Sequence, residues 1–135
     1  MERDMYKNSG RFVAELRPEE PARFDPDTLE DLCHKIGEAR AEAEVARALR
    51  RISDALASLP PPEHAGDAVT LNATVGALCR DADRIGMASV ARVANQVLDC
   101  LARNDGRALS ATLARLSRVG HRSLHAVWEL EDLSG

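Results

Sequence analysis

Apolar residues recur at every third or fourth position along most of this chain, and that spacing places them on one face of an α-helix. Four stripes of this kind can be traced. They are Leu29, Leu32, Ile36, Val45, Leu49, Ile52, Leu56 and Leu59; Leu71, Val75, Leu78, Ala82 and Ile85; Val90, Val93 or Ala94, Val97 and Leu101; and Leu109, Leu113, Leu116, Leu124 and Val127. No stretch alternates apolar and polar residues as a half-buried strand does. The pattern predicts an all-α protein with Leu78 and Leu113 in its core.

Glycine, proline and small polar residues divide the stripes into separate helices. Gly37 interrupts the first stripe and predicts a kink or a break there. The triplet Pro60–Pro62 cannot continue a helix and predicts a loop. Gly86 is the expected left-handed residue at the end of the second stripe, and Ser89 is the expected N-cap of the third. With a tight turn at 104–106, these short connections predict an up-and-down antiparallel four-helix bundle.

The first 25 residues differ from the rest because prolines and acidic residues break up their apolar pattern. We expect a short N-terminal arm or helix over 1–25 and a helical bundle domain over 26–135. Asp25 followed by Pro26 is a favourable start for the first helix of that domain. The apolar residues that would dock the arm on the bundle are Phe12, Val13 and Leu16.

Composition supports a helical, soluble protein without a cofactor. Hydrophobic residues make up 44% of the 135 positions and aromatic residues only 3%, so the core must be aliphatic. No apolar run approaches the roughly 20 residues that cross a bilayer. The three cysteines, Cys33, Cys79 and Cys100, fit neither a disulfide framework nor a metal knuckle, which favours reduced thiols and a cytoplasmic location. The net charge of −4 weighs against nucleic acid as a partner.

The second predicted helix carries a motif. Residues 75–87 read V-G-A-L-C-R-D-A-D-R-I-G-M. This run resembles the signature of histidine-containing phosphotransfer (HPt) domains, roughly A-H-x-L-K-G-S-A-x-x-[LIV]-G-A. Leu78 matches the leucine of the signature, Ala82 its small core residue, and Ile85 and Gly86 its helix end, while Val75 takes the place of the first alanine. The order of helices over roughly residues 26–130 is also similar to that family. The resemblance implies a bundle that takes part in two-component phosphorelay signalling.

One difference from the signature concerns its chemistry. Gly76 stands where the family has its phospho-accepting histidine, Cys79 replaces the lysine, and Arg80 replaces the glycine. Glycine has no ring nitrogen on which a phosphoramidate can form. The resemblance therefore implies a non-catalytic member, not an enzyme, which binds a response-regulator receiver domain or a sensor kinase as an adaptor or competitor. Alternatively, Gly76 allows a neighbouring helix or a partner to approach closely.

Two polar surfaces are candidates for partner binding. At about 100° per residue, the apolar stripe of the second helix leaves the motif's polar positions on the outside. The predicted contact surface consists of Asn72, Gly76, Cys79, Arg80, Asp83 and Arg84. On the last helix four arginines fall within about 80° of one another, opposite the leucines. These are Arg107, Arg115, Arg118 and Arg122, which form either a solvated face or a docking surface for an acidic partner such as a receiver domain.

The histidines leave a second function open. His34 or His125 would be the phosphate acceptor if the chain were an active phosphotransfer protein. His121, His125 and Glu129 are spaced i, i+4 and i+8 on the last helix, as zinc ligands sometimes are. The alternative is that these histidines complement the C-terminal end of the helix dipole in water. We expect no metal site here, because two imidazoles and one carboxylate without a nearby cysteine are a weak pattern.

A third function is self-association. The predicted first helical segment contains Ala39, Ala43 and Ala46, and small side chains at this spacing let two helices approach closely. A helical assembly module unrelated to phosphorelay, and either a monomer or a homodimer, are therefore compatible with the sequence.

Overall fold

The computed structural model describes residues 24–134, with side chains as far as residue 129. Five helices make up this part of the chain: α1 Pro26–Ile36, α2 Glu38–Ala57, α3 Ala68–Ile85, α4 Ala88–Ala102 and α5 Gly106–Ser134. Between residues 24 and 134 there is no strand, only an isolated bridge between Phe24 and Met87. The all-α prediction is confirmed. The predicted arm, including Phe12, Val13 and Leu16, lies outside the described residues.

The observed helix ends agree with the sequence at two of three positions. Gly37, with φ 86° and ψ 157°, separates α1 from α2, so the predicted kink or break is a full break. Gly86 ends α3 in the left-handed conformation at φ 78°, as expected. The N-cap prediction at Ser89 is wrong, because α4 begins at Ala88 and has no side-chain cap. Met87 precedes it with a buried side chain and with its N–H bonded to the Ala82 carbonyl, which leads the chain directly into the new helix.

The four longer helices surround one aliphatic core. α2 packs against α3 and α5, and α4 also packs against α3 and α5, while α1 lies against α2 and α3. Leu78 and Leu113 are each 1% exposed, which confirms that they face the core. Five residues of the predicted stripes lie at the margin of the core and are half-buried: Leu32, Ile36, Leu59, Leu101 and Leu109.

A two-residue segment before α1 fastens the chain to the α3–α4 turn. Phe24 is buried, and the Asp25 N–H donates to the Gly86 carbonyl at 2.7 Å. The Asp25 carboxylate caps α1 by accepting from the Asp27 N–H at 3.0 Å. A Cβ at Gly86 would lie 2.9 Å from the Asp25 carbonyl oxygen, so this close approach requires glycine. The core therefore includes residue 24, two residues before the predicted boundary.

Candidate functional site

The outer face of α3 is the surface that the motif predicted. The Asp67 carboxylate starts this helix by accepting from the backbone N–H groups of Val69 and Thr70. The apolar stripe, Leu71, Val75, Leu78, Ala82 and Ile85, is entirely buried. That burial fixes the rotation of the helix. It leaves four of the predicted site residues exposed, namely Asn72, Arg80, Asp83 and Arg84, and a fifth, Gly76, half-exposed.

Gly76 is at the centre of this face, with bare backbone on the outside of the helix. A Cβ added there would lie 3.5 Å from Arg80 Nη1, an ordinary van der Waals contact, and no atom of a neighbouring helix would come within 4 Å of it. Close packing of another helix between residues 24 and 134 is therefore not the reason for this glycine. Gly120 of α5 shows the contrasting case, because a Cβ there would lie 2.6 Å from the Leu56 methyl groups.

Arg80 supplies the charge at the centre of the α3 face. Its side chain lies beside Gly76, and it forms no ion pair with any carboxylate among residues 24–129. An unpaired guanidinium retains its five N–H donors for a carboxylate or phosphate of another molecule. The face therefore presents a cation but no nucleophile at its centre.

Cys79 does not belong to the exposed face. It is 6% exposed, and its Sγ lies 3.7 Å from the Ala91 carbonyl oxygen of α4. Burial raises the pKa of the thiol, with the nearby Asp83 carboxylate acting in the same direction. The buried arc of α3 is wider than the five-residue stripe because α4 covers the position next to Leu78. Cys79 is therefore not part of the candidate surface, because its buried thiol is not accessible to a partner.

Arg84 lies at the edge of the face and is part of an ionic network between α2 and α3. Its Nη1 lies 3.0 Å from Glu44 Oε1. Glu44 also pairs with Arg47 at 3.0 Å and with Arg51 at 3.4 Å, and Arg51 reaches Asp81 at 3.0 Å. Arg51 Nε lies 3.2 Å from each carboxylate oxygen of Asp81, so this contact is forked. The network joins α2 to α3, and within it the charge of Arg84 is paired with that of Glu44.

These contacts perturb the pKa of Glu44. Hydrogen bonds from Arg47 and then from Arg84 lower the pKa of this carboxyl below its ordinary value, against a smaller opposite effect of burial. Sequence reasoning missed the network. The available signal was that Glu44 and Asp81 each precede a core residue of their own helix, Val45 and Ala82, which places both acids beside the core.

The four arginines of α5 form a second, separate surface. Arg107, Arg115, Arg118 and Arg122 are all exposed, and none pairs with a carboxylate in the part of the chain whose side chains are described. Residues 106–128 contain no acidic residue, so this helix is basic within an acidic protein. From Arg107 to Arg122 the strip is about 22 Å long. Because α3 and α5 each pack against α2 and α4, they lie diagonally across the helix packing.

The histidines of α5 make separate local contacts. His121 Nδ1 donates to the Ser117 carbonyl at 2.7 Å, and His125 Nε2 lies 3.0 Å from Glu129 Oε1. His34, on α1, is exposed. Among the described residues no group of three or more histidine, cysteine or acidic side chains has the geometry to hold a metal ion.

Comparisons of the chain with protein-family models, with curated proteins and with solved structures find no match. None of the helices between residues 24 and 134 is both long and apolar enough to span a membrane.

Proposed function

We propose that this chain is a non-catalytic, HPt-like signalling protein of a two-component phosphorelay. It binds a receiver domain or a sensor kinase through the outer face of α3 and acts in the cytoplasm as an adaptor or competitor. Gly76 carries the proposal, because the motif places it at the acceptor position and its backbone lies open on an exposed face. Binding by shape and charge survives the loss of an imidazole, whereas phosphoryl transfer at that position does not.

The proposal includes an up-and-down antiparallel bundle of α2 to α5, with α1 as a short additional helix. Contacts between helices support this order. Arg51 pairs with Asp81 and Glu44 pairs with Arg84, so residue numbers rise along α3 as they fall along α2. The connections from α3 to α4 and from α4 to α5 are only a few residues long. Helices joined by such short loops pack beside each other in antiparallel orientation.

Charge at the α3 face supports an acidic partner. Arg80 is exposed at the centre and unpaired within residues 24–129, while Arg84 at the edge is already paired with Glu44. The acidic pocket of a receiver domain meets such a cation with complementary charge, which speeds association and disfavours partners of the wrong sign.

The experiment is a binding titration of the full chain against receiver domains and sensor kinases from the same genome. Each receiver domain is measured with and without beryllofluoride as a phosphoryl mimic. We expect at least one complex, and we expect Arg80→Glu to weaken it about tenfold or more by reversing the central charge. Arg103→Glu, at the end of α4, is the matched control. It makes the same change of charge outside the α3 face and is expected to alter the affinity by less than about twofold.

Three results would overturn the proposal. In the first, no receiver or kinase binds. In the second, Arg80→Glu and Arg103→Glu have equal effects. In the third, the wild type takes up phosphate from a phosphorylated receiver, and His34→Gln or His125→Gln abolishes the uptake. The third result would establish an active phosphotransfer protein with another acceptor.

A further inference from the structure

The only tryptophan of the chain lies beside a groove between α2 and α5. Trp128 is 46% exposed, which makes it one of two large apolar side chains exposed among the described residues. The groove is lined on the α2 side by Ala46, Leu49, Arg50, Ser53 and Asp54. Exposed aromatic surface next to a groove is more typical of interaction sites than of solvated faces.

The outer side of α2 continues this groove as a row of small residues. Ala39, Ala43 and Ala46 are exposed, and their spacings of four and three residues put them on one face that leads to Arg50. The core-facing residues of the same helix, including Val45 and Ile52, lie on its other side. A helix can therefore approach this face closely without clashing with side chains.

We propose that a second copy of this chain covers the face, with the two α2 helices crossing antiparallel at Ala46. In a two-fold arrangement about Ala46, residue 42 lies opposite residue 50 of the other copy. Glu42 and Arg50 are both exposed, and neither pairs with another described side chain. Two Glu42–Arg50 pairs then form across the axis, and this self-complementarity selects a second copy as the partner.

The same arrangement places Trp128 over small side chains of the second copy's α2. Trp128 lies beside residues 49–53 of its own α2, and positions 39–43 of the second copy lie opposite these. Each indole ring therefore packs over Ala39 and Ala43 of the other copy. The next pair outward, Glu38 against Asp54, is like-charged and lies about 12 Å along the helix from the axis. The helices must therefore cross at an angle that separates these carboxylates.

This dimer is independent of the proposed function. The side of α2 that faces α3 carries Glu44 and Arg51 of the ionic network. The groove lies on the side that faces α5, so the α3 face stays open in both copies. If no receiver binds, the dimer proposal still stands. If the chain proves to be monomeric, the proposal of receiver binding still stands.

The test combines sedimentation velocity with tryptophan emission over a wide range of protein concentration, using the full chain. We expect a monomer–dimer equilibrium. The emission of Trp128 should move to shorter wavelength in step with the dimer fraction, because the indole leaves water. Glu42→Arg and Arg50→Glu should each weaken dimerisation about tenfold or more, since each creates two like-charged contacts.

The double variant E42R/R50E restores the pairs and should recover the wild-type dissociation constant. This recovery excludes loss of folding as the cause of the single effects. Arg40→Glu, on α2 but outside the row, is the matched control and should leave the equilibrium unchanged. Three results would overturn the dimer: a chain that is monomeric at every concentration, charge reversals without effect, or a short-wavelength emission already present in the monomer. In the last case, a segment of the same chain would cover Trp128.

Discussion

Three glycines show how much the same residue differs in role within one small protein. Gly86 is required by backbone conformation and by a close backbone contact, while Gly120 accommodates the Leu56 methyl groups. Gly76 has neither constraint within residues 24–129, where only the flexible end of Arg80 lies near it. A glycine within a helix costs roughly 0.5–1 kcal/mol relative to alanine, so Gly76 lowers stability while no contact in this part of the chain requires it. A role outside the chain, at a binding surface, fits this placement.

The two constraints on Gly86 can be separated by a matched substitution. Gly66 has a similar positive φ of 73°, but a Cβ there would meet nothing within 4 Å. Gly66→Ala should therefore cost about 1–2 kcal/mol, from the left-handed conformation alone. Gly86→Ala should cost at least about 1 kcal/mol more, because its Cβ would overlap the Asp25 backbone. Urea unfolding of both variants provides the measurement. Equal costs would show that the segment before α1 is not fastened to the α3–α4 turn.

At the scale of the helices, local patterns predicted most of the buried residues but not how the helices pack against one another. Spacing alone placed every residue of the α3 stripe in the core and located the ends at Gly37 and Gly86. It missed that Cys79 is buried, because this depends on how α4 lies across α3. The Glu44 network was missed for the same reason. Contacts between helices depend on their relative rotation and register, which a single helix's pattern does not encode.

The α2–α3 network predicts a pH dependence of stability. Arginine hydrogen bonds lower the pKa of Glu44 in the folded protein, so at mildly acidic pH the unfolded chain binds more protons at this site. The stabilisation is fully present above the ordinary pKa near 4.5 and is lost as the pH falls through the lower, folded value. Glu44→Gln should therefore reduce the rise of unfolding free energy with pH between about 3 and 5.

Denaturant titrations at several pH values test this dependence. Glu63→Gln removes a carboxyl of the exposed loop between α2 and α3 that takes no part in the network, and it should leave the profile unchanged. If the unfolding free energies of Glu44→Gln and Glu63→Gln depend on pH in the same way, the contacts of Arg47 and Arg84 with Glu44 do not persist in solution.

At the scale of the whole molecule, one aliphatic core and two separated polar surfaces define the protein. Leu78 of α3 and Leu113 of α5 belong to the same buried cluster, although 35 positions separate them. The sequence predicted this core well, because burial of an apolar stripe follows from the helix period. It predicted the positions of the exposed charges on α3 and α5, but not that Arg84 is committed to Glu44.

Truncation of the core tests whether α3 and α5 share it. Leu78→Ala and Leu113→Ala should each lower the unfolding free energy by about 2–5 kcal/mol, since both side chains are 1% exposed. Val69→Ala is the control on an apolar residue that is 77% exposed, and its cost should stay below about 0.5 kcal/mol. Thermal or urea unfolding with a near-wild-type midpoint for either leucine variant would contradict the packing described here.

The central claim is that the α3 face docks a phosphorelay partner but lacks the acceptor group. Restoring the acceptor tests it most directly, in the variant G76H, which keeps Arg80 for partner binding. Among the described residues, a Cβ at Gly76 would meet only the flexible end of Arg80, at 3.5 Å, so the position has room for an imidazole. Transfer requires a ring nitrogen to attack the phosphorus of the receiver's aspartyl phosphate. The N–P bond forms as the acyl P–O bond breaks, and the ring proton is released to water.

The measurement is uptake of labelled phosphate from phosphorylated receiver domains. We predict acid-labile label on G76H and none on the wild type. The control G76Q, similar in size but without a ring nitrogen, should also take up none. A folded G76H variant that takes up no phosphate from any receiver, or a wild type that does, would contradict the claim.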